Sequence, residues 1–298
     1  MIDAILLLLT ELFNGFVNIF IALSQPLSWL DWSDPQALIR FIYYGGSHQF
    51  LFSLIVILLF ILVIGLIRRP FLWGVTTGLE FFGNWMGRIF AWVGLMMVLQ
   101  QIMIVFLQRI FRVSEISLAP GGAAFTRDLS WWSEELKLYN AIVVCLCCAY
   151  TFIQGGHVRV DLFYAGVRYR TKRIIDMAGS LIFILPSMSL IWLYAWYFMW
   201  RHLVTPKVSA SDQLELMERR AQLLRWDRET IGFSPNGFDE YWLFKLLIVL
   251  FAGTMFLQGV ATFFRALLEY IEGPEAEGKH LDKDRLDDEV AEAAATAH

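Results

Sequence analysis

The chain has 298 residues, of which 57% are hydrophobic and 17% are charged, and its mean hydropathy is +0.54. Soluble domains contain about 45–50% apolar and about 25% charged residues, so this composition excludes a soluble enzyme and a disordered regulator. The net charge of −4 argues against nucleic acid as a partner, because phosphate backbones bind basic surfaces. Aromatic residues make up 16% of the chain, which fits an integral membrane protein with interfacial aromatic belts.

Six segments are predicted to cross a bilayer as helices, since a span needs about 20 mainly apolar residues. The first, Ile2 to Leu23, carries Glu11, Asn14 and Asn18 on one helical face. That polar face suits an interfacial helix or a spanning helix packed on another, and we favour the spanning form. The other predicted spans are Phe50 to Ile67, Arg88 to Leu107, Leu138 to Gly155, Ile174 to Trp200 and Trp242 to Leu268.

Three further segments are neither spans nor simple turns. Phe71 to Gly87 is moderately apolar and rich in Gly, which favours a linking helix in the membrane interface. Ser211 to Trp226 repeats apolar residues at helical spacing, which predicts an extramembrane amphipathic contact helix. From Glu269 the chain is acidic and ends in Ala-rich sequence, so we expect a disordered tail. The apolar face of the contact helix consists of Leu214, Met217, Ala221 and Leu224.

The expected fold is an all-α integral membrane protein with a four-helix transmembrane core. Residues 1–70 form an N-terminal membrane extension of one or two spans, and residues 71–87 form the interfacial linking helix. Residues 88–268 form the four-span core, with an extramembrane loop at 201–241. Residues 269–298 form the acidic cytoplasmic tail.

Basic residues predict how the chain is oriented. Between His157 and Arg173 there are five basic residues, and Asp161 is the one acid. Lys and Arg concentrate in short cytoplasmic loops, so this loop is expected in the cytoplasm. Six alternating spans then place Arg68 and Arg69 on the same side, together with both chain termini.

Chemically reactive groups are sparse in the predicted spans. An ionisable residue at the centre of a span is a functional candidate by default, and Glu11 is the one acid so placed. Cys145, Cys147 and Cys148 lie inside an apolar run and are interpreted as small helix residues. We therefore predict no catalytic residue, no cofactor and no metal.

The histidines leave one alternative open. His157 and His202 are expected at opposite ends of successive spans, about 30 Å apart, and cannot share a haem iron. His48 and His202 are expected on the same side and are capable of pairing. A membrane anchor for a redox enzyme, with or without haem, is therefore the alternative function.

A stripe of small residues crosses the start of the third predicted span. Its members fall at i, i+4, i+8 and i+11 and therefore share one helical face. Such faces let helices approach closely where lipid offers no hydrophobic driving force. The stripe predicts either packing within this chain or a docking face for another membrane subunit. Its members are Gly83, Gly87, Ala91 and Gly94.

Two stretches flank the fourth predicted span. Trp131 to Leu136 (WWSEEL) opens it, with Ser133 as a candidate N-cap, and Gln154 to Leu162 (QGGHVRVDL) closes it. Together with the basic, aromatic Gln108 to Arg112 before them, they resemble the small membrane subunit of tripartite ATP-independent periplasmic (TRAP) transporters, the DctQ family. The resemblance covers roughly residues 85 to 268. Its signature residues are Trp132, Glu135, Gly156, His157, Arg159 and Asp161.

The resemblance implies a multi-pass protein of the bacterial inner membrane that carries no substrate or sodium site itself. It implies that the chain binds a large membrane permease subunit, which works as an elevator, and holds that subunit in the lipid bilayer. A periplasmic substrate-binding protein would deliver an organic acid, and a sodium gradient would drive its import. An autonomous channel or carrier is the third possibility.

Overall fold

A computed structural model describes residues 2–118, 125–155, 166–226 and 237–284. Helices dominate these residues, and one antiparallel hairpin pairs β1 (Glu115–Leu118) with β2 (Phe125–Asp128). A π-helical turn, Leu107–Phe111, follows the helix that ends at Phe106, and another, Ser180–Ile184, joins the helix that ends at Gly179 to the one that begins at Leu185. The helices are α1 (Ile2–Ser24), α2 (Leu27–Leu30), α3 (Pro35–Gly45), α4 (His48–Ile67), α5 (Arg69–Phe106), α6 (Leu129–Gln154), α7 (Tyr169–Gly179), α8 (Leu185–Trp200), α9 (Leu214–Arg219) and α10 (Tyr241–Glu272).

Six helical stretches among the described residues are long and apolar enough to cross a membrane. Their outward faces are covered with Leu, Ile, Val and Phe, as contact with lipid tails requires. The expectation of a helical integral membrane protein is confirmed at this level. The six stretches are α1 from Leu6, α4, α5 with its π-helical turn, α6, α7 joined to α8, and α10.

Helix α10 is the centre of the bundle. Half of its most apolar stretch is buried, against 22% or less in each of the other five stretches. Close packing is possible because Gly and Ala recur along it. A Cβ on Gly259 would lie 2.7 Å from Ile184, and one on Gly253 would lie 3.1 Å from Trp192. Helices α5, α6, α7 and α8 all pack against α10.

The predicted linking helix at residues 71–87 is not a separate element. It forms the first half of α5, which runs for 38 residues without a break. Pro70 stands in its first turn, where the missing N–H costs no hydrogen bond. A helix of this length measures about 57 Å, nearly twice the hydrocarbon thickness of about 30 Å. Helix α5 therefore tilts strongly or continues past the bilayer.

The N-terminal extension packs on the predicted core. Leu58, Ile61 and Leu62 of α4 contact a buried cluster that α5 and α10 share. In α3, Leu38 and Ile42 lie in a second cluster with residues of α8. Helix α1 packs on α4, and the Ser53 hydroxyl donates a hydrogen bond to the Gly15 carbonyl at 3.1 Å. The extension therefore belongs to the same bundle as the core.

The predicted contact helix at residues 211–226 is shorter than expected. Helix α9 ends at Arg219, and the chain then runs beside the segment after α8. There the backbone N–H of Gln222 donates to the Thr205 carbonyl at 3.0 Å. The sequence predicted one long helix because Ala221 and Leu224 continue the helical spacing; these hydrogen bonds hold them in extended chain instead.

The predicted disordered tail also differs from the structure. Helix α10 continues to Glu272, ends at Gly273 with φ +91°, and leads into a short 3₁₀ turn, Pro274–Ala276. Residues 277–284 then pack back onto the helices. The prediction of disorder is therefore wrong for residues 269–284. Residues 285–298 lie outside the described residues.

Candidate functional site

The polar groups of the bundle concentrate at one end, which we name the charged end. Here α4, α6 and α10 end, and α5 and α7 begin. Helix α5 buries polar side chains at intervals of four, namely Thr76, Glu80 and Asn84. Helix α10 faces them with Arg265 and Glu269, which are also four residues apart. An i, i+4 spacing places side chains on one helical face, so the two polar faces meet along a seam.

An ion pair between α5 and α10 is the centre of this seam. The Arg265 Nε and Nη2 atoms donate to the two Glu80 carboxylate oxygens, each at 2.5 Å. The two side chains are only 13% and 6% exposed. Such a planar, two-bond pair is the strongest geometry that Arg and a carboxylate can form. The Trp73 ring lies 5.4 Å from the guanidinium carbon and shields it further.

Glu269 extends the seam to α7. Its Oε2 atom lies 2.9 Å from Arg173 Nε, and its Oε1 atom lies 3.6 Å from Arg265 Nη1. Arg173 also reaches Glu277, with Nη2 2.7 Å from Oε1. The buried charges of three helices and the following chain are thus balanced by one another.

Residues 277–284 lie across the charged end, and we name them the C-terminal strap. The Asn84 Nδ2 atom donates to the Asp282 carbonyl at 2.8 Å. The Asp284 backbone N–H donates to Gln154 Oε1 at 3.0 Å. Arg88 forms ion pairs with the Asp282 and Asp284 carboxylates, each at 2.8 Å. The strap therefore joins the first half of α5 to the end of α6.

The same contacts change the acidity of the strap. Hydrogen bonding from Arg88 lowers the pKa of Asp282 below its ordinary value of 3.8. Hydrogen bonds from Tyr150 and then from Arg88 lower the pKa of Asp284 in the same way. Both shifts mean that docking of the strap favours the ionised carboxylates.

These buried ionisable groups were not predicted from the sequence. Glu80 stands in the segment predicted to be an interfacial linking helix, and Glu269 begins the segment predicted to be a disordered tail. The spacing of Thr76, Glu80 and Asn84 was the available signal, because it marks a polar stripe on one helix. The partners of Glu80 and Asn84 lie 185 and 198 residues away in sequence, which no local pattern reveals.

At the opposite end, α6 and α10 begin and α8 ends; we name it the aromatic end. Here Trp192, Trp196 and Trp200 follow one face of α8. The Trp196 Nε1 atom donates to the Ile42 carbonyl at 2.7 Å, and Trp192 Nε1 donates to Gly45 at 3.0 Å. These bonds attach α3 to the bundle.

Two predicted signature residues meet at this end. The Gln100 side-chain amide on α5 donates to the Trp132 carbonyl at 2.9 Å and to Glu135 Oε2 at 3.0 Å. Ser133 is not an N-cap, because α6 already begins at Leu129, after Asp128. The motif therefore ties α5 to α6. The remaining signature residues, Gly156, His157, Arg159 and Asp161, lie outside the described residues.

The small-residue stripe is an interface within this chain. A Cβ on Gly87 would lie 2.1 Å from Tyr150 Cβ, and one on Gly83 would lie 2.8 Å from Ile153. Gly94 is less crowded, with Val143 at 4.0 Å, and Ala91 is exposed. The two central glycines allow α5 and α6 to pack closely, so they are not available as a docking face for another subunit.

The predicted contact residues of α9 are also occupied within this chain. Met217 is buried, and Leu214 and Leu224 pack on the same cluster as α3 and α8. Arg40 Nε on α3 donates to Glu218 Oε1 at 2.6 Å, and this bond raises the pKa of Arg40. The apolar face of α9 holds α3 in place and does not face outward.

Comparison with known proteins gives no match to a protein family, to a curated protein or to a solved structure. The fold and the two ends therefore have to be interpreted from their own geometry. They define a helical integral membrane protein whose polar groups cross-link its own helices. Among the described residues, no three His, Cys, Asp or Glu side chains are grouped as a metal ion would need.

Replacing Gly87 with Ala should destabilise the protein. The new Cβ would overlap Tyr150, and overpacking of this kind costs about 1–3 kcal/mol. Gly78→Ala on the same helix is the matched control, because its Cβ would meet no atom within 4 Å. The control should leave stability unchanged or raise it, since Ala favours helix more than Gly. Thermal unfolding in detergent measures both; equal shifts would contradict the interface.

Replacing Arg265 with Leu should destabilise the protein by about 3–5 kcal/mol, because it leaves Glu80 buried without its partner. The double variant Glu80→Leu/Arg265→Leu should recover much of this loss, since an apolar pair removes both buried charges. Arg220→Leu, at an exposed position, should change stability by about 0.5 kcal/mol or less. Unfolding in mixed detergent micelles gives the three free energies. A double variant no better than Arg265→Leu would refute the pairing.

The strap should detach in acid. Because Asp282 and Asp284 have lowered pKa values, docking is at full strength above about pH 3.8 and is lost as the pH falls through the lowered values. A spin label is attached at position 281 in a chain whose three native cysteines are replaced by alanine. The label should become mobile as the pH falls through this range. Asp282→Asn/Asp284→Asn should be mobile at neutral pH too. A label that stays immobile as the pH is lowered from 7 until the helices themselves unfold would contradict this.

Proposed function

We propose that this chain is the small permease subunit of a sodium-driven, binding-protein-dependent secondary transporter of the TRAP type. In this role it scaffolds a large membrane permease subunit in the bacterial inner membrane and carries no substrate site itself. The transported solute is an organic acid, which a periplasmic binding protein delivers. The charged end faces the cytoplasm, following the basic residues around it, and the aromatic end faces the periplasm.

The sequence resemblance supports this proposal, and its described residues have a defined place in the fold. Trp132 and Glu135 both bind the amide of Gln100, which links the two helices that open the proposed four-span core. The motif thus fixes the geometry of the core at its periplasmic end. A scaffold needs such fixed points more than it needs reactive groups.

The arrangement of charge also supports a scaffold. Glu80, Arg265 and Glu269 are buried but pair with one another. Lys245, also buried, has the Phe198 ring 4.3 Å from its ammonium nitrogen. Side chains that carry ions across a membrane must exchange partners, whereas these charges are engaged in holding helices together.

One exposed amide is the observation that carries the docking part of the proposal. Gln101 follows the half-buried Gln100 on α5 but is exposed, and it has no hydrogen-bond partner among the described residues. It lies 13 residues after Arg88 and eight before Arg109, about 20 Å and 12 Å along the helix. An unpaired amide among lipid tails is costly, so a polar side chain of a neighbouring membrane helix would satisfy it.

Co-expression with a candidate large permease subunit tests the proposal. The two chains should co-purify, and vesicles should take up an organic acid only when both subunits, the binding protein and a sodium gradient are present. Gln101→Leu should lower the yield of the complex. Val105→Leu, one turn further on the same exposed face, should not. Uptake by this chain alone would contradict the scaffold role.

The alternative, a membrane anchor for a redox enzyme, predicts different results. A haem absorption spectrum in the purified chain would favour it over the transporter subunit. Co-purification with a soluble dehydrogenase in place of a permease would do the same.

A further inference from the structure

A cationic groove opens on the charged end where α4 turns into α5. It has a volume of about 580 Å³ and is lined by Arg69, Trp73, Thr77, Lys279 and His280, among others. It continues past Pro70 into a second open groove that Arg68 lines. None of these residues takes part in the proposed subunit contact at Gln101.

The charges of the groove are not balanced within it. Lys279 Nζ lies 3.7 Å from Glu272 Oε2, so this cation is partly compensated. The guanidinium groups of Arg68 and Arg69 are exposed and have no ion-pair or hydrogen-bond partner among the described residues. Arg68 and Arg69 are successive in the chain and both line the second groove, and a guanidinium group suits a phosphate because it donates paired hydrogen bonds to the phosphate oxygens.

The groove lies where the hydrocarbon region must end. Helix α4 has 20 residues, just enough to cross a bilayer, and its last residue is followed directly by the two arginines. Ile67 is 78% exposed and Phe71 is 41% exposed on either side of them. An amphiphile bound here would place its head against the guanidinium groups and its tails against these apolar side chains.

Trp73 forms the floor of the groove and contacts both the end of α10 and the strap. The Trp73 Nε1 atom donates to Glu272 Oε1 at 3.0 Å, and the Trp73 ring lies 5.7 Å from the Lys279 ammonium and 5.8 Å from the His280 ring. The strap thus forms one wall of the groove and α5 forms the other. A bound headgroup would contact both and would favour the docked strap.

We infer that this groove binds the phosphate headgroup of an anionic phospholipid of the surrounding bilayer. The position at the end of a span and the apolar flanks favour a lipid over a free anion, because a free anion makes no use of Ile67 and Phe71. Each basic residue beside a span raises the affinity for an anionic lipid about fivefold, so Arg68 and Arg69 together contribute about 30-fold. This inference does not depend on the proposed function.

Native mass spectrometry of the full chain in detergent, titrated with phosphatidylglycerol or phosphatidylcholine, tests it. Phosphatidylglycerol should bind at least tenfold more tightly, and Arg68→Gln/Arg69→Gln should weaken its binding about 30-fold. Arg109→Gln/Arg112→Gln removes two arginines just beyond the other end of α5 and should change binding less than twofold. Arg68→Lys/Arg69→Lys keeps the charge but loses the paired hydrogen bonds, so its affinity should lie between those of the native chain and the Gln double variant.

Measurements on the native chain can also overturn the inference. Equal binding of the two lipids would overturn it, and so would unchanged lipid binding in the Gln double variant. Displacement of the lipid by 10 mM inorganic phosphate would show a site for a free anion and would overturn the lipid assignment. Binding that survives phosphate but weakens when NaCl rises from 50 to 500 mM would support it, because screening weakens the headgroup attraction.

Discussion

The ion pair between Glu80 and Arg265 is the constraint on which the bundle depends. A charged side chain inside an apolar bundle is tolerated only with a partner at hydrogen-bonding distance. The pair joins α5 and α10, the two longest helices, and therefore fixes how far one is shifted along the other. Buried pairs contribute little net stability but are well suited to setting register. Once this register is fixed, the contacts at both ends of the bundle follow.

Small residues allow the close packing between helices that the ion pair alone does not provide. In lipid, helices gain nothing from hiding apolar surface, so association depends on close packing and on hydrogen bonds. Gly83 and Gly87 bring α6 against α5, while Gly253 and Gly259 bring α8 and its preceding turn against α10. Gly87 and Tyr150 lie beside the Arg88 anchor of the strap. Close approach and polar cross-linking therefore occur together.

Much of the helical architecture could be predicted from the sequence, because apolar runs of the length of a bilayer are a local signal. The run from Phe50 to Ile67 became α4, which begins only two residues earlier. What could not be predicted depends on distant partners. Glu80 and Arg265 are 185 residues apart in sequence. The local sequence around each one is equally consistent with a solvent-exposed residue near the end of a span. The strap was predicted as disordered for the same reason, since the side chains that bind its acidic residues, among them Arg88 and Arg173, are distant in sequence.

The site predictions show the same difference: the residues that form a face could be predicted, but the element that packs on that face could not. The stripe at Gly83 and Gly87 was predicted to allow close approach, but sequence alone left open whether the neighbour was α6 or another chain. The apolar residues predicted for one long contact helix pack on a common cluster, but Leu224 lies beyond the end of α9, and the cluster includes residues of α3. A helical pattern identifies which side chains need a neighbour and cannot identify that neighbour.

The distribution of polar bonds argues for a bundle that moves as one body. Opening a path between α5 and α10 would separate Glu80 from Arg265, and opening one between α7 and α10 would separate Arg173 from Glu269. Each step would leave a charge facing lipid, which costs several kcal/mol. The strap adds a further link across α5 and α6. This arrangement fits the proposed role of a fixed support against which a partner moves, and Gln101 would offer that partner an amide that has no hydrogen-bond partner among the described residues.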